Sequence, residues 1–164
     1  MTHPLPANVV QVLSDISRLL GNAFPFEALC DRVANWRDNH PIRIETDRNM
    51  PKEVSGYIVP LADCDLICVR PGLDDIAWLG IVLHEFGHLM LGHIPLCKSH
   101  PEIATYKQFV RRRDFAAAYC RGRDSDGRMT LQHEQEAEVL AALLLRLVSK
   151  GETIFLGDFY KKDT

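Results

Sequence analysis

An apolar stretch at 76–91 that contains the sequence HEFGH (84–88) constrains the fold of this chain more than any other feature. Its apolar residues would cover most of the circumference of a helix, so the pattern predicts a helix buried at the centre of the domain. Residues four positions apart lie above one another on a helix, so the imidazoles of His84 and His88 can reach one ion. Buried histidines are costly unless they are ligated or hydrogen-bonded, which independently favours a metal site.

The glutamate between these histidines predicts chemistry as well as metal binding. Glu85 lies about 100° around the helix from His84, beside the coordination position that a water molecule would occupy. Two histidines hold a catalytic zinc poorly, and a third protein ligand is expected. We therefore predict zinc bound by His84 and His88, Glu85 as general base, and one further ligand downstream.

Several downstream side chains could complete the site. The candidates are His93, His100, His133, Glu134, Glu136 and Glu138. His93 would require the chain to fold back sharply at the end of the helix. The HExxHxxGxxH pattern is excluded, because Leu91 and Ile94 occupy the positions of its glycine and third histidine. A glutamate from a neighbouring helix is therefore favoured.

A C-terminal helix over 130–150 would supply that glutamate. Thr130 is a good N-cap, and the second half of the helix is apolar enough to enter the core. Glu134 and Glu138 share one face of this helix, whereas Glu136 points nearly opposite. One of the pair can bind zinc while the other accepts a hydrogen bond from a ligand histidine.

The rest of the chain predicts an α+β domain. Helices are expected at 9–20, capped by Asn8 and ended by Gly21, and at 25–39. Strands at 42–45, 56–61 and 65–69 predict a small antiparallel sheet of about three strands, packed on the HExxH helix. Pro60 indicates that its strand lies at an edge or ends there, and an extended peptide could pair with such an edge.

Length and composition predict one domain, which we divide into four parts. These are a helical part at 8–39, a sheet and HExxH core at 40–93, a loop region at 94–129, and the C-terminal helix. The net charge of −3 and the pI of about 6.1 give no electrostatic case for binding nucleic acid. Residues 1–6 lack the features of a secretory signal, and no apolar run reaches the ~18 residues of a membrane span. Five cysteines without CxxC spacing favour a reduced protein, and we expect a cytoplasmic location.

The segment at 106–128 carries an excess of positive charge, with seven Lys or Arg residues and three Asp. One interpretation is a solvated loop. The other is a substrate-facing flap or a recognition patch for an acidic partner. Aromatic residues are not interleaved through the basic run, so nucleic-acid binding is disfavoured.

Two segments together resemble the ImmA/IrrE family of metallopeptidase-like proteins. They are HEFGHLMLGH (84–93) and EQEAEVLAALLL (134–145), and the resemblance extends over about 40–148. It implies a minimal gluzincin-like site with His84, His88 and Glu134 as zinc ligands and Glu85 as base. Glu138 departs from the family pattern, where Asn or Asp is more frequent, so it stays an alternative ligand or a partner of a ligand histidine.

The resemblance implies a cytosolic zinc endopeptidase that cleaves a regulatory protein, such as a helix-turn-helix DNA-binding repressor. The alternative is a zinc-stabilised, non-catalytic regulator or toxin–antitoxin component that acts by protein binding. The presence of Glu85 favours the enzyme, because a non-catalytic zinc domain has no chemical need for a carboxylate there. A peptidase also needs a donor for the oxyanion, and the candidates are Tyr106, Tyr119, His93 and His133.

Overall fold

The computed structural model describes residues 4–94, 105–111 and 130–151, with side chains as far as 148. The helices are α1 (Ala7–Leu20), α2 (Phe26–Trp36), α3 (Asp75–Met90), α4 (Tyr106–Arg111) and α5 (Leu131–Gly151). The strands are β1 (Ile42–Thr46), β2 (Gly56–Pro60) and β3 (Asp65–Val69). The predicted α+β class with a three-stranded sheet is confirmed. The short helix α4 lies inside the stretch that we predicted as loop.

The sheet is mixed, so the prediction of a fully antiparallel sheet is wrong. Its strand order is β1-β3-β2, with β2 antiparallel and β1 parallel to β3. The three strands alternate in direction along the chain, as an antiparallel meander does. However, β3 inserts between β1 and β2, so β1 pairs with the strand that runs in its own direction. Pro60 ends β2, which is an outer strand as predicted.

The central position predicted for the HExxH helix is confirmed. Helix α3 packs against β2 and β3 on one side and against α5 on another. Asp74 caps its start by accepting a hydrogen bond from the backbone N–H of Ala77 at 2.8 Å. Leu83 and Phe86 are fully buried in the main core, and Phe86 stacks on Phe26 of α2 at 5.9 Å. The helix is therefore fixed on several sides before any ligand is considered.

The sheet buries both of its faces, because successive side chains of a strand point in opposite directions. Ile58 and Ile67 join the main core with α3, whereas Tyr57 and Leu66 join a second cluster with Phe109 of α4. Helix α4 therefore lies on the face of the sheet away from α3. This separation decides which side chains can reach the HEFGH segment.

The ends of the helices follow the predicted signals in part. The prediction that Asn8 caps α1 is wrong, because the helix begins at Ala7 with Pro6 at the cap position. Gly21, with φ of +84°, follows α1, and Thr130 Oγ1 accepts a hydrogen bond from the backbone N–H of His133 at 3.1 Å. Helix α2 ends at Trp36 rather than at 39, because Asp38 and Asn39 adopt φ of 56° and 59°, outside the helical range. Within 4–94, 105–111 and 130–151, no helix combines the length and apolar character that a membrane crossing requires.

Candidate metal centre

Three side chains from α3 and α5 meet at one point. His84 Nε2 lies 3.0 Å from Glu134 Oε2, and the Nε2 atoms of His84 and His88 are 3.1 Å apart. His88 Nε2 lies 3.4 Å from Glu134 Oε1. These are the three residues that the family resemblance implies as ligands, and together they could hold a metal ion.

A close approach of two helices places Glu134 above the histidines. A β-carbon added at Gly87 would lie 3.0 Å from the carbonyl oxygen of Ala137 and 3.1 Å from its Cα. A side chain at 87 would therefore separate α3 from α5. Because Gly87 follows His84 by three positions and Ala137 follows Glu134 by three, this contact sets how near the donors can lie.

The spacing of the donors fits a small divalent cation held tetrahedrally. Bonds of ~2.0–2.1 Å at tetrahedral angles place donor atoms about 3.3–3.4 Å apart. The observed separations of 3.0, 3.1 and 3.4 Å lie within a few tenths of that value. Two imidazoles and one carboxylate also form the ligand set of many catalytic metal sites.

The charge of the site suits a cation as well. The hydrogen bonds with His84 and His88 hold the pKa of Glu134 far below its usual range, so the carboxylate is ionised at neutral pH. Burial acts to lower the pKa of His84, but the hydrogen bond with Glu134 and the charge of Glu85 outweigh it and raise that pKa. The two carboxylates thus favour a positive charge at His84, either a proton or a bound cation.

Glu85 lies beside the donor group without belonging to it. Its carboxylate is buried, yet Glu85 contributes to the wall of the same cleft as His84 and His88. Its Oε1 would lie 3.4 Å from a β-carbon added at Gly56, the first residue of β2. The carboxylate therefore lies beside the first residue of the outer strand β2.

An open cleft of about 820 Å³ gives access to the donors. One wall is the chain that enters β2, with Glu53, Val54, Ser55, Gly56 and Tyr57, and the opposite wall is α5. The part of α5 beyond the carboxylates is apolar. Its lining residues there are Ala141, Ala142 and Leu145. Among the described residues that line the cleft, none is Lys or Arg, whereas four are glutamates.

Glu138, the alternative ligand, lines the same cleft one helical turn after Glu134. Its side chain is exposed, and it is outside the group of donors that could hold the ion. Behind His88, the hydrogen-bond partner is His93 and not Glu138. His88 Nδ1 lies 3.0 Å from His93 Nδ1.

His93 reaches that position because the chain does fold back sharply after α3. Gly92 adopts φ of +73°, and the backbone N–H of His93 donates to the carbonyl oxygen of His88 at 3.0 Å. His93 Nε2 then lies 3.0 Å from Glu136 Oε2. Burial lowers the pKa of His93, which keeps its imidazole neutral.

The four candidate oxyanion donors lie elsewhere or are not described. The hydroxyl of Tyr106 donates to Glu45 on the far face of the sheet. His93 lies behind His88, and His133 stacks on His93 with ring centroids 4.2 Å apart. None of these three is among the described residues that line the cleft. Tyr119 and the candidate ligand His100 lie outside the described residues.

Sequence reasoning considered Glu136 only as a candidate ligand, and it missed the place of Glu136 and Asn8 behind the donors. Glu136 is buried and accepts hydrogen bonds from the amides of Asn8 at 2.8 Å and Gln132 at 2.9 Å. A signal was present, because Glu136 precedes Leu140 by four positions and so lies on the core-facing stripe of α5. Asn8 gave no such signal, since its position favoured a helix cap.

The protein-family models, curated proteins and solved structures with which the chain was compared include no match to it.

Proposed function

We propose that this protein is a zinc-dependent endopeptidase of the ImmA/IrrE type, with His84, His88 and Glu134 as zinc ligands. The observation that carries the proposal is the position of Glu85. Its carboxylate lines the cleft beside three donors spaced for one tetrahedral ion, but is not itself one of them. A carboxylate placed in this way is suited to move protons next to the ion. A minimal gluzincin-like packing is part of the same proposal.

Zinc bound to the three donors would supply a Lewis acid that polarises a peptide carbonyl and lowers the pKa of water. Glu85 would accept a proton from the attacking water and deliver it to the nitrogen of the leaving amine. Burial removes competing solvent around this carboxylate, and the beginning of β2 at Gly56 keeps it close to the substrate path.

The outer edge of β2 supports a peptide as substrate. This strand pairs with β3 on one side only, within the described part of the chain, and its first two residues line the cleft. An extended peptide could add to that edge through backbone hydrogen bonds, which would align its carbonyl groups along the cleft. The apolar wall formed by Ala141, Ala142 and Leu145 would contact side chains of such a peptide.

The substrate class rests on the family resemblance alone. It points to a regulatory protein, such as a helix-turn-helix repressor encoded beside the gene of this protein. A cytoplasmic location is part of the same proposal. The rival reading is a zinc-stabilised regulator that binds such a partner and leaves it whole.

The Glu85→Gln variant tests the proposal, because the amide keeps the size of the side chain but cannot accept a proton at neutral pH. We expect the variant to fold and to retain about one zinc per chain, as Glu85 is outside the donor group. Cleavage of the co-expressed repressor should fall by about 100-fold or more. Zinc content is measured by elemental analysis and cleavage by mass spectrometry of the repressor.

The control is the wild-type protein under the same conditions, which should trim the repressor at a defined bond. If the repressor stays whole with both proteins and binds both equally well, the repressor is not a substrate. The non-catalytic regulator then becomes the better account.

A further inference from the structure

A chain of polar side chains leads from His88 away from the cleft and into the interior. His88 Nδ1 contacts His93 Nδ1 at 3.0 Å, and His93 Nε2 contacts Glu136 Oε2 at 3.0 Å. His88 is 1% and Glu136 5% exposed, so water has little access to these contacts. None of these three residues is needed as a base or acid in the proposed reaction.

The direction of each hydrogen bond follows from its acceptor. The carboxylate of Glu136 also accepts from the amides of Asn8 and Gln132, so its contact with His93 requires that His93 Nε2 carry a hydrogen. When Nε2 of His88 binds an ion, the proton of His88 is on Nδ1 and is donated to Nδ1 of His93. The proton of His93 is then on Nε2, where Glu136 accepts it.

This assignment leaves Nε2 of His88 as the unprotonated nitrogen. Nε2 is the atom that lies 3.1 Å from His84 Nε2 and 3.4 Å from Glu134 Oε1. Metal ligation needs a lone pair at that nitrogen, and the tautomer of a ligand histidine is set by the hydrogen bond of its other nitrogen.

Other parts of the fold hold His93 in place. The turn at Gly92 and the hydrogen bond from the backbone N–H of His93 to the carbonyl oxygen of His88 fix the backbone of His93. Arg37 donates to the carbonyl oxygen of Ile94 at 2.5 Å, and its guanidinium is anchored by Asp65 at 2.8 and 3.0 Å. His93 therefore cannot easily turn away from His88.

We propose that His93 and Glu136 are positioning residues for the metal site, which fix His88 in the tautomer that leaves Nε2 free to bind the ion. Asn8 of α1 and Gln132 hold the Glu136 carboxylate in the orientation that this requires. The inference rests on the metal-binding part of the proposed function and not on peptide cleavage.

Removal of the acceptor at Glu136 tests the inference. Oε2 of Glu136 accepts from both Asn8 and His93, whereas Oε1 accepts from Gln132. Glu136→Met keeps the length of the side chain but removes both oxygens, so we expect His93 to lose its fixed tautomer and zinc affinity to fall about 10- to 100-fold. In Glu136→Gln an amide oxygen in the place of Oε2 still accepts from His93, and zinc affinity should stay within about three-fold of wild type.

Zinc affinity is measured by competition with a chromophoric chelator, with Glu27→Met as the control. This control makes the same chemical change at an exposed position of α2, and its affinity should stay within about two-fold of wild type. A loss in Glu136→Met with retention in Glu136→Gln assigns the effect to the hydrogen-bond acceptor for His93. Equal losses in the two variants would point to damage of the fold and would overturn the inference.

A second measurement needs no variant. In the ¹⁵N spectrum of the zinc-bound wild type, His88 should be protonated at Nδ1, with a coupling across the hydrogen bond to Nδ1 of His93. Zinc bound through Nδ1 of His88, or unchanged zinc affinity in Glu136→Met, would overturn the inference while leaving the proposed function intact. A wild-type protein that binds no zinc would overturn both.

Discussion

Glu134 is the residue that turns two histidines of one helix into a three-sided site. Its carboxylate contacts both imidazoles through different oxygens, at 3.0 Å for His84 and 3.4 Å for His88. Glu138 is one turn away and more open to solvent. The two glutamates have the same functional group, and they differ in whether the carboxylate lies close enough to the histidines to share an ion.

Replacement of each glutamate by glutamine measures this difference. We expect Glu134→Gln to lower zinc affinity by at least about 100-fold, more than the loss of an outer hydrogen-bond partner costs. Glu138→Gln should change it by less than about three-fold, because Glu138 acts on the site only through its charge. Zinc competition titrations compare the two variants. An equal loss in both would mean that the carboxylates share the ion.

Glu136 shows what the sequence could reveal about single residues and what it could not. The two proposed histidine ligands and the proposed base follow from spacing along α3. Spacing along α5 narrows the third ligand to Glu134 or Glu138, and only the family resemblance favours Glu134. The link from His93 to Glu136 depends on a backbone turn at Gly92 and on the packing of α1 against α5. Such contacts join positions far apart in the chain, and no local pattern encodes them.

At the scale of elements, the pair α3 and α5 determines the geometry of the site. Gly87 allows the two helices to touch at Ala137, and the donors lie on the same side of that contact. The sequence predicted both helices and their contact, because each carries an apolar face. The strand order β1-β3-β2 could not be predicted in the same way. Three short strands with the same alternation of apolar and polar residues can pair in several orders.

A methyl group at position 87 should move the helices apart. In Gly87→Ala the added carbon would lie 3.0–3.3 Å from backbone and side-chain atoms of Ala137, so one helix must shift by a few tenths of an ångström. We expect zinc affinity to fall about 10-fold or more and the free energy of unfolding to fall by roughly 1–3 kcal/mol. Zinc titration and urea denaturation measure the two effects.

Gly80→Ala is the matched control on the same helix. A β-carbon at Gly80 meets no atom within 4 Å, so the substitution should only favour the helical backbone. The free energy of unfolding should rise by roughly 0.5–1 kcal/mol, with no change in zinc affinity. If both variants behave alike, the close contact at position 87 does not control the site.

At the scale of the whole molecule, one buried ion pair connects three distant segments. Arg37 follows α2, Asp65 begins β3, and Ile94 lies just beyond α3. Arg37 is 6% and Asp65 0% exposed, so each charge depends on the other for its solvation. The helical N-terminal part and the sheet are therefore joined near the end of the central helix.

Removal of one member of the Arg37–Asp65 ion pair should destabilise the fold. In Arg37→Met the carboxylate of Asp65 stays buried without its partner, and the free energy of unfolding should fall by about 3–5 kcal/mol. Arg18→Met removes an exposed arginine that pairs with Asp15 and should cost less than about 1 kcal/mol. Urea denaturation of the zinc-free proteins compares them. Similar small losses in both would show that Asp65 finds other partners.

The distribution of the three donors along the chain has a consequence for folding kinetics. His84 and His88 come together as soon as α3 forms, but Glu134 follows 46 positions after His88 and arrives only when α5 docks. Closing a loop of that length carries an entropic cost on the order of 3 kcal/mol, and an ion that bridges its ends offsets that cost. Metal uptake during refolding would thus report the docking of α5 rather than the growth of either helix.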